Sequence, residues 1–304
     1  MRDMHLTHIR DLTVEAPMAS GHAFLSAASG LVVLGSRLCV VGDDAHELAV
    51  FALDGAACGA PGALVRLIEG DLPADAAARK KVKPDFEVLV ALSGAGDERL
   101  LALGSGSTKA RMRGAIVDLP AVGGACRVRP VDLTPLFAAL APLVPEINLE
   151  GAVVAGDRLL LFNRGNMRFP ASHIVEVALA AVLEGAPVFA TLRAELVLPP
   201  VAGVPLTVTD GCRLSSGHIL LSAVAEATAD SYADGALAGA AIVELDADFA
   251  VVAVEPLDPP LKVEGIAARE TGNGVELLCV TDADDPARAS GLYRGVYGGR
   301  AVMG

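Results

Sequence analysis

Apolar and polar positions along this chain follow one recurring phrase. A small or acidic residue leads into a short apolar run, a turn rich in Gly, Asp, Asn or Ser, a second apolar run and then a polar loop. Five copies start at Ser29, Glu87, Glu150, Asp210 and Glu264, about 59 residues apart. Each phrase reads as a β-hairpin, because its turn residues tolerate the backbone geometry that tight strand connections need. The apolar runs are continuous, as in strands buried on both faces.

Two further strand candidates follow each of the first four hairpins. The fifth is followed only by GLYRGVYG before the chain ends. The missing strand is supplied by the N-terminus, where the segment from His5 to Glu15 precedes the first unit. Four strands per unit at this period predict an all-β, five-bladed β-propeller closed by its N-terminal strand, as one domain over residues 1–304. A six-bladed ring is the alternative, if a longer unit hides a degenerate blade. Closure removes an exposed sheet edge. Short helices are expected at 71–82, from its Ala, Arg and Lys content, and at 132–140, capped by Asp132 or Thr134. No alternation of strand and helix supports a doubly wound nucleotide fold.

In a propeller the first strand of each blade lines the central channel. The leading residues Ser29, Glu87, Glu150, Asp210 and Glu264 then form one ring. Like charges so close raise each other's pKa unless protons, arginines or a metal neutralise them. An oxygen-rich ring suits Ca²⁺ better than Mg²⁺, which demands tight octahedral geometry. The other reading of an acid-Gly pair is turn chemistry, with the carboxylate bonded to backbone N–H groups.

The loops after the second strands share the rim with this ring, because the two strands are antiparallel. These loops span 42–47, 104–113, 163–168, 225–235 and 281–288, and bring Lys109, Arg111, Arg113, Arg164 and Arg168 as candidate ligands for an anionic group. Lys80, Lys81, Lys83 and Lys262 approach the same rim. Asp44 and His46 are the candidate acid–base groups.

Composition narrows the functions. The 304 residues are 53% hydrophobic, enough for a large core, and carry a net charge of −13. That balance opposes a nucleic-acid or anionic-membrane partner. The uncharged stretch 16–36 contains Pro17, His22 and several serines and glycines, and reads as loop followed by strand. Five cysteines without a CxxC pair point to free thiols and a cytoplasmic protein. No P-loop, HExxH, EF-hand or GxSxG pattern occurs.

The phrases SGLVVLGSRLCVVGDD, KPDFEVLVAL, NLEGAVVAGDRLLLFNRGN, KVEGIA and VTDADDP resemble an uncharacterised bacterial propeller family, broadly similar to phytase-like and esterase-like propellers. The ring Ser29, Glu87, Glu150, Asp210, Glu264 is similar to the central calcium site of the calcium-activated nucleotidases (apyrases), departing at Asp210, where a hydroxyl is expected. The resemblance implies a propeller; the acid ring and the cations around it lead to the expectation of a metal-dependent, calcium-centred hydrolase of small anionic, phosphorylated esters. The competing function is a non-enzymatic ligand- or protein-binding propeller with a structural cation.

Overall fold

The computed structural model describes residues 3–56, 58–92, 98–120, 124–228, 235–272 and 274–298. Residues 94–97 of the turn expected at 94–99, the middle of the 225–235 loop (229–234) and Asn273 of the fifth turn lie outside the described residues.

Five four-stranded antiparallel sheets stand in a ring, a five-bladed propeller. Blade one is β2 (Ala28–Leu34), β3 (Arg37–Gly42), β4 (Glu47–Ala52) and β5 (Ala63–Arg66). Blade two is β6 (Phe86–Leu92), β7 (Glu98–Gly104), β8 (Arg113–Leu119) and β9 (Arg127–Asp132). Blade three is β10 (Leu149–Ala155), β11 (Arg158–Asn163), β12 (Ser172–Ala178) and β13 (Ala190–Leu196). Blade four is β14 (Leu206–Arg213), β15 (Ile219–Glu226), β16 (Leu237–Leu245) and β17 (Val251–Pro256). Blade five is β18 (Val263–Thr271), β19 (Gly274–Thr281) and β20 (Gly291–Tyr297), completed by β1 (Thr7–Asp11), which pairs antiparallel with β20. The expected closure by the N-terminal strand is therefore present. The sixth blade that the period also allowed is absent among the described residues.

The core lies between blades. Five apolar clusters each join two neighbouring sheets, as where Leu103 of blade two and Leu161 of blade three share one cluster. This explains why the second strands are unbroken apolar runs, with β15 buried along its whole length. The outermost strands are mostly exposed or half-buried.

Helix α1 (Ala76–Val82) starts at Asp75, whose carboxylate accepts from the Ala78 amide at 2.8 Å. Helix α2 (Thr134–Leu140) has Leu133 at its N-cap and no side-chain cap; of the two expected caps, Asp132 lies one residue earlier and accepts from the Thr134 amide at 2.9 Å, and Thr134 is already helical. Helix α3 (Leu179–Glu184) joins β12 to β13 and was not expected from the sequence. It is short and stops at Gly185, which takes the left-handed conformation.

Two features of the inner strands position everything at the channel mouth. First, the pairing register slips at the leading residue. It jumps across Glu87 in β6, Glu150 in β10 and Glu264 in β18, and across Ser29 and Gly30 in β2. These are β-bulges, which re-aim a side chain and end regular pairing. Second, the glycine after the leading residue lets neighbouring inner strands approach. A Cβ on Gly265 would sit 2.1 Å from the Ser29 carbonyl oxygen, and one on Gly151 2.7 Å from the Asp210 Cα.

Gly265→Ala is therefore expected to cost about 1–3 kcal/mol, because backbone cannot yield as a flexible side chain can. Gly272→Ala, where a Cβ meets nothing within 4 Å, should leave the unfolding free energy nearly unchanged. Paired urea melts test the difference.

Candidate cation and ligand site at the channel mouth

A cleft of about 240 Å³ opens where the inner strands and the loops after the second strands meet. Three side chains close in sequence come together there: Lys83, Asp85 and Glu87, at alternate positions leading into β6, all line it. The same spacing places Asn148 with Glu150, and Lys262 with Glu264. The loops add Asp43 and Asp44 from blade one, Arg164 and Asn166 from blade three, Glu226 from blade four, and Asp282 and Asp284 from blade five. Helix α1 contributes Arg79 and Lys80.

Among the described residues the lining holds ten carboxylates and six basic side chains, so the cleft is acidic but heavily strapped. Lys83 contacts Asp43 and lies 2.8 Å from Asp85. Arg111 lies 2.7 Å from the other Asp85 oxygen, which also accepts from the Ser105 hydroxyl at 2.5 Å. Asp85 itself has φ 56°, a left-handed conformation that Asp tolerates better than most residues. On the far side, Arg164 lies 2.6 Å from Glu226 and 3.5 Å from Glu150. Lys262 lies 2.5 Å from Asp284 and 3.6 Å from both Glu226 and Glu264. Arg79 lies 3.6 Å from Asp44.

Two groups are left over. Among the described residues Glu87 makes no hydrogen bond or ion pair, and Glu264 Oε2 is buried with no hydrogen-bond partner. Burial, and then Glu150 and Asp85, push Glu87 well above the carboxylate range. Burial pushes Glu264 up to about 7 and Asp282 to about 8, with Lys262 pulling both back. Asp44 rises to about 6, through burial and then the adjacent Asp43. Glu226 goes the other way: burial raises it, but Arg164 and Lys262 outweigh that and hold it below the ordinary value.

Of the ring expected from the sequence, Ser29, Glu87, Glu150 and Glu264 line the cleft, and Asp210 does not. In β14 the bulge falls one residue earlier, on Thr209, whose hydroxyl contacts the Val263 carbonyl at 2.6 Å and Ser222 at 2.9 Å. Asp210 instead accepts from the Ile266 amide at 3.0 Å and ties blade four to blade five. That is the turn-type use of an acid-Gly pair, spanning two blades. Blade four reaches the cleft through Glu226 instead, the last residue of β15.

Of the expected ligand-binding cations, Arg111 and Arg164 line the cleft, already paired with its acids. Lys109, Arg113 and Arg168 are exposed and outside it, Arg168 lying over the Phe169 ring. Asp44 lines the cleft, but His46 does not; its Nδ1 lies 3.0 Å from the Gly70 carbonyl oxygen. Sequence reasoning did not assign Asp43, Asp85, Glu226 or Arg79 to the site, nor Asn148, Asn166, Asp282 and Asp284. The signal for Asp85 was the alternation Lys83, Asp85, Glu87.

The donor set fits a hard divalent cation. Oxygens of Asp43, Asp85 and Glu87 lie within 4.8 Å of one another, and no sulfur or imidazole is among them. The fold and this cleft define a five-bladed propeller with a possible acidic metal site at its axis. The chain belongs to the family of unknown function DUF6910, whose model matches residues 79–286. No curated protein matches the chain. Among solved structures it is similar to a proposed glycosidase from Bacteroides thetaiotaomicron VPI-5482, at 12% identity and TM-score 0.49 over 95% of this chain and 93% of that one. It is also similar to a proposed glycoside hydrolase from Parabacteroides distasonis ATCC 8503, at 11% identity and TM-score 0.46 over 95% of each chain. These likenesses concern the fold alone. The finer resemblance to phytase-like propellers rests on the sequence phrases and that to apyrases on the ring, which Asp210 leaves incomplete at the cleft; these comparisons support neither. No helix among the described residues is long and apolar enough to cross a membrane.

The shifted acids set a pH dependence. Asp44, Glu264 and Asp282 hold more protons folded than unfolded once the pH exceeds their ordinary values near 4. Stability is then greatest near pH 4–5 and falls as the pH rises toward 8. In chelator the melting temperature should drop on the order of 5 °C from pH 5 to pH 8. Thermal melts across that range check it; a rising melting temperature would contradict the assigned shifts.

Proposed function

We propose that the channel mouth binds a divalent cation, calcium by its donors, on Asp43, Asp85 and Glu87, and that the protein hydrolyses a small anionic ester, phosphorylated, held there. The observation carrying this reading is Glu87: a half-buried carboxylate beside Asp43 and Asp85 that makes no hydrogen bond or ion pair among the described residues. Such a group stays protonated or takes a metal. Glu264 Oε2 is a second acceptor in the same cleft without a partner.

A calcium ion there supplies charge to attract the anionic group and polarise its ester oxygen. Asp44, near 6, is poised to accept a proton from a water at neutral pH. Ser26 is its hydrogen-bond neighbour, at 3.5 Å, and Arg79 its counter-charge. His46, outside the cleft, has no part in this. The cleft's own acids oppose a free anion, so anion capture depends on the cation. On the same reading the protein works in the cytoplasm without nucleic acid or membrane, as the net charge of −13 and the free cysteines support.

A second reading is favoured by one observation. Arg79, Lys83, Arg111, Arg164 and Lys262 each already contact a carboxylate, as in a propeller whose charges are structural. That is a non-enzymatic ligand-binding propeller.

Calorimetric titration of CaCl₂ into chelator-treated protein, with p-nitrophenyl phosphate turnover in parallel, separates the readings. Wild type should bind calcium and turn over the ester. Glu87→Gln should lose calcium binding, and Asp44→Asn should keep it while losing at least about 100-fold in rate. Calcium binding without turnover of any ester supports the binding module, and no calcium binding overturns the cation site.

A further inference from the structure

We propose that Lys83 is the resident cation of the Asp43–Asp85–Glu87 group, that a divalent ion must displace its ammonium to bind, and that this exchange makes the site select doubly charged ions. The inference rests on the cation reading above and adds a specificity-determining residue to it.

The geometry places the ammonium where a bound ion belongs. Lys83 Nζ contacts Asp43 and lies 2.8 Å from Asp85, two of the three acids whose oxygens converge within 4.8 Å. Lys83 ends α1, its backbone N–H bonded to the Arg79 carbonyl at 2.8 Å, and Pro84 then turns the chain into β6. Its side chain is 9% exposed, so the charge is delivered inward by the fold. Asp85 can release it: Arg111 and Ser105 stay on the other carboxylate oxygen. Glu87 has no partner to lose, and Glu264 Oε2 in the same cleft also awaits one.

Charge arithmetic then decides selectivity. Three carboxylates and one ammonium leave the group net acidic. Exchanging the ammonium for a monovalent ion leaves that charge unchanged, while a buried lysine must be moved. Exchange for a divalent ion adds one unit of positive charge amid buried acids, where Coulomb interactions are strong. A lysine tethered in this way behaves as a competitor at fixed local concentration.

The test is calorimetric titration of CaCl₂ into full-length wild type, Lys83→Met and Lys83→Arg at pH 7, each with and without 100 mM KCl. Lys83→Met should bind calcium about tenfold tighter or more, with potassium now competing. Lys83→Arg should stay close to wild type. Lys83→Gln, checked by thermal melts, serves the same purpose if the methionine variant folds poorly. Equal or weaker calcium binding by both neutral variants, while wild type binds, overturns the proposal and leaves the cation site standing. Binding by no variant overturns the cation site and this role with it.

Discussion

Carboxylates gathered at one axis and withdrawn from water must be neutralised, and the rest of the cleft follows from that constraint. Moving an unpaired charge into a protein interior is costly, and like neighbours add to the cost. Most of the acids here are met by a basic side chain from a neighbouring element. Lys83 serves Asp43 and Asp85, Arg164 serves Glu150 and Glu226, and Lys262 serves the loop of blade five. The pairing is incomplete at Glu87 and at one oxygen of Glu264. The deficit, more than the acids themselves, is what the proposed cation would fill.

The scaffold makes such crowding possible. Each blade is sealed to the next by its own apolar cluster, so the ring gains stability away from the axis. Glycine beside the leading residue lets inner strands nearly touch, and the bulge at that residue turns a side chain out of the ladder. A glutamate followed by glycine thus serves twice: the acid at the cleft and the glycine at the seam between blades. Blade two, with Val88 in place of the glycine, keeps the bulge and the acid without the small residue.

Asp210 shows where repeat logic stops. Its Asp-Gly pair matches Glu150-Gly151 and Glu264-Gly265 in sequence, yet its bulge sits on Thr209 and its carboxylate bonds the Ile266 amide. A slip of one residue turns every side chain to the opposite face. No pattern of residue types reports such a slip, because Thr and Asp both suit that position. The exposed Lys109, Arg113 and Arg168 share the limit: a loop known to lie on the rim leaves open which of its side chains turn inward.

The residue pattern alone determined the five hairpins, the closing N-terminal strand and the rim on which the polar loops meet. Those are consequences of local turn chemistry and of apolar runs, both written in neighbouring residues. Only the tertiary structure decided that Asp43 joins Asp85 and Glu87, that Glu226 stands in for Asp210 at the cleft, and that Lys83 reaches Asp43. These contacts join residues from different blades, and their geometry depends on bulge register and side-chain direction, which no short stretch of chain encodes.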